Sequence, residues 1–317
     1  MSVIWLPKAS PLFIDMLSMT LAISEHEQQA VKKNFQHDLA GYFGGKLYAS
    51  SHYHLNKKVY LEEQGQILFQ CQPKASNMNF FRIEWNPVKV ATEAVAGIVD
   101  FLVPGGYAGL VSYGRITRID IATDVMGLQM RNCLFHYPGM MVEYNYLSAG
   151  SIQTAYLGSA GGVNQFRFYD KVAETKKSNA TKPKQYKVPL PKHPVTRIEW
   201  QYRPNLAITL QNIGEKIGPI YQKLWCGQVS KMPNQPKSDF ESFVHTVIRM
   251  SRYEGLPQAL YSIPKHHRAK VLSYLKKNLH ASWWSPDRLL GTLPTAIKQV
   301  NPPQNKYIIH QQLNNCY

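Results

Sequence analysis

Three runs carry the densest chemistry in this chain: RITRIDIATD (115 to 124), YLGSAGGVNQFRFYDK (156 to 171) and RIEWQYR (197 to 203). Each reads as a β-strand, in which every second side chain projects from the same face. Together they supply a tyrosine, a lysine, arginines and several carboxylates. That combination suits phosphodiester cleavage: a phenol attacks phosphorus, cations neutralise the equatorial oxygens, and carboxylates hold a hard divalent ion.

In the first run Arg118, Asp120, Ala122 and Asp124 share a face, between the apolar Ile119, Ile121 and Val125. Asp120 and Asp124 are spaced to bind one divalent cation together. The other reading of the same residues pairs one Asp with Arg118 or caps the turn after Asp124. In the second run Arg167, Tyr169 and Lys171 share a face and Phe166, Phe168 and Val172 take the other. A large aromatic residue between two cations on an exposed face is unusual. Its phenol, with an ordinary pKa of about 10, needs nearby positive charge to act as a nucleophile. Arg167 and Lys171 would supply it and hold the scissile phosphate; alternatively Tyr169 is a half-exposed strand residue beside an arginine. In the third run Arg197, Glu199 and Gln201 align, with Glu199 a further ligand or a partner of Arg167 or Arg197.

The elements that must position these strands are legible around them. PLFIDMLSMTL (11 to 21) reads as a strand, and a helix follows, with Ser24 and Glu27 at capping-box spacing and Gly41 as its stop. KLYASSHYHL, KVYLEE, QILFQCQ and FFRIEWNP, over 46 to 86, predict an antiparallel meander closed by Asn86 and Pro87. A helix over roughly 90–102 precedes Pro104. Residues 175–196 form a basic insertion with Lys176, Lys177, Lys182, Lys184, Lys187 and Lys192, in which four prolines exclude regular structure. It is either a solvated loop or a flap that grips a nucleic-acid backbone. The expected organisation is an N-terminal α+β part (1–110), the catalytic strand block (111–205), a helical region (206–300) and a loose tail (301–317). The expected fold is α+β, a mostly antiparallel twisted sheet with helices packed on one face and the site on its open face.

Composition sets the partner. The 317 residues carry a formal charge of +16 and 44% hydrophobic residues, a globular balance with a surplus that favours a polyanion. No run approaches the roughly 20 apolar residues of a membrane span, and Asp15 interrupts the apolar N-terminus, so a cytoplasmic protein with no membrane partner is expected. Cys71, Cys133, Cys226 and Cys316 lack metal or disulfide spacing and read as apolar fillers or free thiols.

Taken in order, the motifs resemble the replication initiation factor family, the Rep_trans group of rolling-circle initiators. RIDIATD is similar to that family's R-(L/I)-D-(L/I/V)-A-x-D strand, IDMLSMT (14 to 20) to its opening strand and FRIEWNP (81 to 87) to its R-x-E-x-N-P segment. YLGS (156 to 159) matches a Y-x-G-S turn, RFYDK an R-x-Y-(D/N)-K strand, and RIEWQYR an R-x-E-x-(Q/E) strand, so the resemblance covers roughly 10–205. It implies an HUH-endonuclease-like catalytic core and a nicking and joining enzyme. A tyrosine would attack a phosphate of single-stranded or cruciform origin DNA, stay on the 5′ end and leave a 3′ hydroxyl for a host polymerase and helicase, with homodimerisation left open. It places the nucleophile at Tyr169, with Tyr156 as rival, and a Mg²⁺ or Mn²⁺ among Asp120, Asp124, Glu199 and Glu174. Other readings are a non-covalent metal-dependent nuclease and a catalytically inactive replication or copy-control regulator.

The wider HUH class uses a histidine-hydrophobic-histidine run; none lies near these strands, and His52 and His54 share a face only in the peripheral meander. DNA contacts are expected from Arg118, the insertion lysines, and Lys265, Arg268 and Lys270. The last three fall in SRYEGLPQALYSIPKHHRAKVLSYLKK, which has the helix, turn, helix rhythm of a DNA-reading unit or of a merely solvated basic face. Trp283 and Trp284 either stack on an unpaired base or close the helical core.

Overall fold

Apolar alternation and turn residues produce an α+β protein with a large antiparallel sheet component and a helical C-terminal region. The computed structural model describes residues 6–38, 46–61, 65–148, 151–184, 187–229 and 235–301. In chain order these are β1 (Lys8–Ala9), β2 (Phe13–Leu21), α1 (Glu25–Lys33) with a π-helical turn after it, β3 (Lys46–Leu47), β4 (Tyr53–Leu61), β5 (Gly65–Pro73) and β6 (Phe81–Trp85). Then come α2 (Thr92–Leu102), α3 (Gly106–Tyr113), β7 (Arg115–Met126), β8 (Cys133–His136), β9 (Val142–Ser148), β10 (Ser151–Leu157), β11 (Asn164–Asp170), α4 (Lys171–Ala180) and β12 (Val195–Tyr202). The remainder is α5 (Ile213–Lys223), β13 (Trp225–Gln228), α6 (Asp239–Glu254), α7 (Leu256–Tyr261), α8 (Lys265–Asn278), α9 (Pro286–Leu290) and α10 (Leu293–Val300).

The chain divides into two units, and the division falls inside β7. Among the described residues, one unit holds 13–121, 202–215 and 292–301. Its strands run in the order β3, β4, β5, β6, β2 and then β7. The expected meander is present: β3–β4, β4–β5, β5–β6 and β2–β6 are antiparallel, with Leu17 opposite Trp85 and Ile67 opposite the same residue. Leu17, Met19, Ile67, Phe69, Phe81, Ile83 and Trp85 are buried, and α2 and α3 add Val95, Val99, Leu102, Tyr107 and Leu110 to that core. The C-terminal α10 is tied back by Tyr107, whose hydroxyl donates to the Val300 carbonyl at 2.6 Å, and by Thr92 to Gln299 at 2.7 Å.

Among the described residues, the second unit holds 6–12, 122–201 and 216–291. Its sheet order is β7, β12, β11, β10, β9, with β1 antiparallel to the end of β7. An aromatic core fills it: Phe135 stacks on Phe168 at 3.7 Å, while Tyr221 meets Phe166, Trp200 and Trp284 at 5.9–6.3 Å. Trp283 and Trp284 are both buried, and their indole N–H groups donate to Gln228 and to the Leu224 carbonyl, so they close this core. A second apolar cluster of Val244, Val247, Ile248, Leu260, Val271 and Leu275 joins α6, α7 and α8.

The separate β8–β13 pair sets His136 opposite Trp225. Burial above all, and then Lys276, lowers the His136 pKa to about 4. Its Nδ1 is enclosed with no hydrogen-bond partner among the described residues. Below about pH 6.5 the unfolded chain therefore takes up a proton that the folded chain refuses, and stability falls as pH drops towards 4. Urea midpoints at pH 7 and 5 should differ for the wild type and converge for His136→Asn. An unchanged slope in the variant would remove His136 as the cause.

Three local expectations are corrected. The basic insertion is not irregular throughout: residues up to Ala180 form α4, because the first proline is Pro183 and Asp170 caps the helix, accepting from the Val172 and Ala173 amides at 2.9 and 3.0 Å. Lys171 is consequently the first residue of α4 and not a strand residue. The Ser24–Glu27 pair closes on itself, the hydroxyl donating to the carboxylate in place of a backbone cap. Gly41 lies outside the described residues.

Candidate active site

The β10–β11 hairpin brings the predicted residues into register. Thr154 lies opposite Tyr169 and Tyr156 opposite Arg167. The connection turns at Gly158, whose φ of +91° and approach to the Asn164 carbonyl leave no room for a Cβ. Phe166 and Phe168 point into the aromatic core, so Arg167 and Tyr169 take the other face, as the alternation required.

On that face Glu199 is the hub. The Tyr169 hydroxyl donates to Glu199 Oε2 at 3.2 Å, and Arg167 Nη1 donates to Oε1 at 2.8 Å. Glu199 is 1% exposed and Tyr169 6%, whereas the Arg167 side chain keeps 32% of its surface. The Arg167 guanidinium sits 5.4 Å from the Tyr169 ring centre and 5.7 Å from that of Tyr156. Lys171 Nζ lies 5.8 Å from the Tyr169 ring and pairs with Glu174 at 2.8 Å. One strand along, Arg197 grips Asp124 with two bonds of 2.7 and 2.9 Å. A phenol, a carboxylate placed to take its proton, and cations beside both are the parts of an activated oxygen nucleophile.

The expected exposure of Tyr169 is not found. Its ring is buried beneath a rim of Arg167 and Lys171, because the hydrogen bond to buried Glu199 draws the phenol onto β12. β12 itself is buried along its whole length, so its polar residues Arg197, Glu199 and Gln201 must be satisfied within the protein.

The unit of residues 13–121 and 202–215 carries its own polar cluster. Arg118 binds Asp120 through two bonds of 2.9 and 2.5 Å, realising the pairing alternative. Burial, and then the charge of Arg118, lowers the Arg203 pKa, while Asp120 and Glu84 act to raise it. Arg82 bonds Glu84 at 2.6 Å and also Gln70, which reaches Asn56 at 2.7 Å. In FRIEWNP, Asn86 Oδ1 accepts from the Val88 and Lys89 amides and its Nδ2 donates to Asp15, which explains the residue as a turn former.

The family resemblance implies a divalent ion, and the donor set can be checked against one. Among the described residues no three His, Cys, Asp or Glu side chains converge as a metal site. Asp120, Asp124, Glu174 and Glu199 are each engaged by Arg118, Arg197, Lys171 and Arg167 respectively. As arranged, they do not fit a preformed ion site.

No family model matches this sequence, and no curated protein matches it. Among solved structures, the chain is similar to a rolling circle replication initiator protein from Geobacillus stearothermophilus, at 10% identity and a TM-score of 0.39 over 88% of this chain and 100% of that one.

The other expected residues lie as follows. Lys176 and Lys177 are exposed on α4, Lys184 and Lys187 on the loop after it, and Lys182 is half-buried. Asn179 pins that loop to α4 through two bonds with Val188, of 2.7 and 2.9 Å. His52 and His54 are exposed on and beside β4. Lys265 and Lys270 are exposed on α8, while Arg268 donates to the carbonyls of Tyr261 and Ile263 and braces the turn before it. Among the described residues no single helix is long and apolar enough to cross a membrane. The direct Tyr169–Glu199 bond was not foreseen. Counting back round the Gly158 turn would have placed Tyr156 beside Arg167, but nothing in a single strand announces which residue on β12 meets a phenol on β11.

Proposed function

We propose that this protein is a rolling-circle replication initiator that nicks one DNA strand with Tyr169, holds a 5′-phosphotyrosyl intermediate and rejoins DNA. The observation that carries the reading is the Tyr169 hydroxyl donating to Glu199 beneath Arg167; the ordered motifs along 10–205 support it. In the forward step the Tyr169 oxygen bonds to phosphorus and its proton passes to Glu199 Oε2. The P–O3′ bond breaks, and the leaving 3′ oxygen takes a proton from water. Arg167 and Lys171 neutralise the equatorial oxygens, the main requirement of such a displacement. The phosphotyrosine keeps the bond energy, so attack by a 3′ hydroxyl reseals DNA without ATP. Exposed Lys176, Lys177, Lys184 and Lys187 would follow the DNA backbone.

The test is incubation with single-stranded origin DNA followed by mass spectrometry of tyrosyl-DNA peptides, with Mg²⁺, with Mn²⁺ and with chelator. A 5′ adduct on Tyr169 is the expected result, and the chelator arm reads the divalent requirement, since no step above runs through an ion. Free 5′ phosphate ends would point to a metal-dependent nuclease. Binding without cleavage under every condition would leave a regulator on an inactive scaffold.

A further inference from the structure

The helical part of the second unit presents a surface that the strand chemistry does not use. Helices α7 and α8 are joined by Ser262, Ile263 and Pro264 alone, and Ile263 is buried in the α6–α7–α8 cluster. That three-residue turn with an apolar plug fixes α8 against the pair before it. Arg268 adds a second lock: its guanidinium lies 4.3 Å from the Tyr261 ring centre and donates to the Tyr261 carbonyl at 2.9 Å and the Ile263 carbonyl at 3.2 Å. The helix is therefore held at its first turn as well as through Val271 and Leu275.

The face opposite Val271 and Leu275 is solvent-exposed. At 100° per residue, Lys265, His266, Ala269, Lys270, Ser273, Lys276 and Lys277 fall within an arc of about 140°. All but the half-buried Lys276 are exposed, and α8 contains no Asp or Glu. The lysines stand at both ends and along one edge, and the short Ala269 and Ser273 occupy the middle. A helix is about 10–12 Å across and the major groove of B-DNA about 12 Å wide, so flanking lysines meet phosphates while a shallow centre lets base edges come close.

We propose that α7, the turn and α8 form a helix-turn-helix reader of duplex DNA, with the Lys265–Lys277 face of α8 in the major groove. Lys265, Lys270 and Lys277 contact phosphates, and His266, Ala269 and Ser273 face the bases. This duplex site is separate in kind from the single-strand chemistry of Tyr169. It shares only the DNA with the proposed nicking function, and it would give that function its address.

The full-length protein is used to enrich sequences from a pool of random duplexes, and affinity is then measured on the enriched duplex. Wild type should enrich one short motif. Lys265→Glu with Lys277→Glu, and separately Ala269→Glu, should weaken binding by about tenfold or more. The double variant should also lower the slope of log affinity against log salt by about 2. Both should keep the wild-type melting curve. Lys216→Glu with Lys223→Glu, an equal charge change on exposed α5 positions, should keep the motif. No enriched motif, an unaffected α8 variant, or an equal loss in the α5 control each overturns the proposal. Absence of nicking by the wild type would count against the Tyr169 chemistry and leave the duplex result standing.

Discussion

Tyr169→Phe should abolish the covalent protein–DNA adduct and leave DNA binding intact. The substitution keeps the ring, and with it the contacts to Arg167 and Lys171, and removes only the hydroxyl that donates to Glu199. Glu199 retains Arg167 at 2.8 Å, so the stability cost should be about 1 kcal/mol, the net worth of one hydrogen bond. Loss of the nucleophile, by contrast, is complete. Tyr156→Phe is the matched control, because Tyr156 sits opposite Arg167 on the same hairpin. The readout is a denaturing gel with end-labelled DNA: adduct from Tyr156→Phe and none from Tyr169→Phe. The reverse pattern would move the nucleophile to Tyr156.

The second large effect is expected at Glu199. Glu199→Gln conserves shape but cannot take the phenol proton, and nicking should fall by about 10²–10⁴-fold, the usual worth of a general base. A purely positioning role gives a different pH profile. If the carboxylate acts as base, raising the pH towards the phenol's ordinary value of about 10 should restore part of the rate in the variant, since solvent then removes the proton. The fold pays too: Arg167 loses its charged partner, at a cost of about 1–3 kcal/mol. This is less than for a fully buried pair, because the Arg167 side chain keeps 32% exposure. A Glu199→Gln rate within a few-fold of wild type at every pH would remove Glu199 from the proton path.

Strand alternation was the legible part of this protein. It put Arg167 and Tyr169 together and Phe166 and Phe168 opposite, and it marked the 46–86 meander through its short β-prone runs. Pairing between strands distant in sequence was not legible. Asp124 meets Arg197 across 73 positions and Tyr169 meets Glu199 across 30, and period-two patterns give each strand's faces but not its neighbours. The same gap explains the exposure error at Tyr169, whose burial depends on β12. One local rule failed where a stronger one competed: Lys171 looked like a strand residue, yet the Asp170 side chain before it accepts from two amides and starts a helix there. The helix expected over roughly 90–102 ends before Pro104 as read, and no pattern marked residues 106–113; they form α3 because Tyr107, Leu110 and Val111 are drawn into the core.

That junction at Asp170 constrains how the chain can vary. Tyr169 is the next-to-last residue of a strand and Lys171 the first of a helix, with a single capping residue between them. Each added residue would turn α4 by about 100° and carry Lys171, Lys176 and Lys177 round with it. The spacing from tyrosine to lysine is thus a gauge length. Insertions and deletions at this point should be absent from functional copies, while the prolines beyond Ala180 leave room for the loop to grow or shrink.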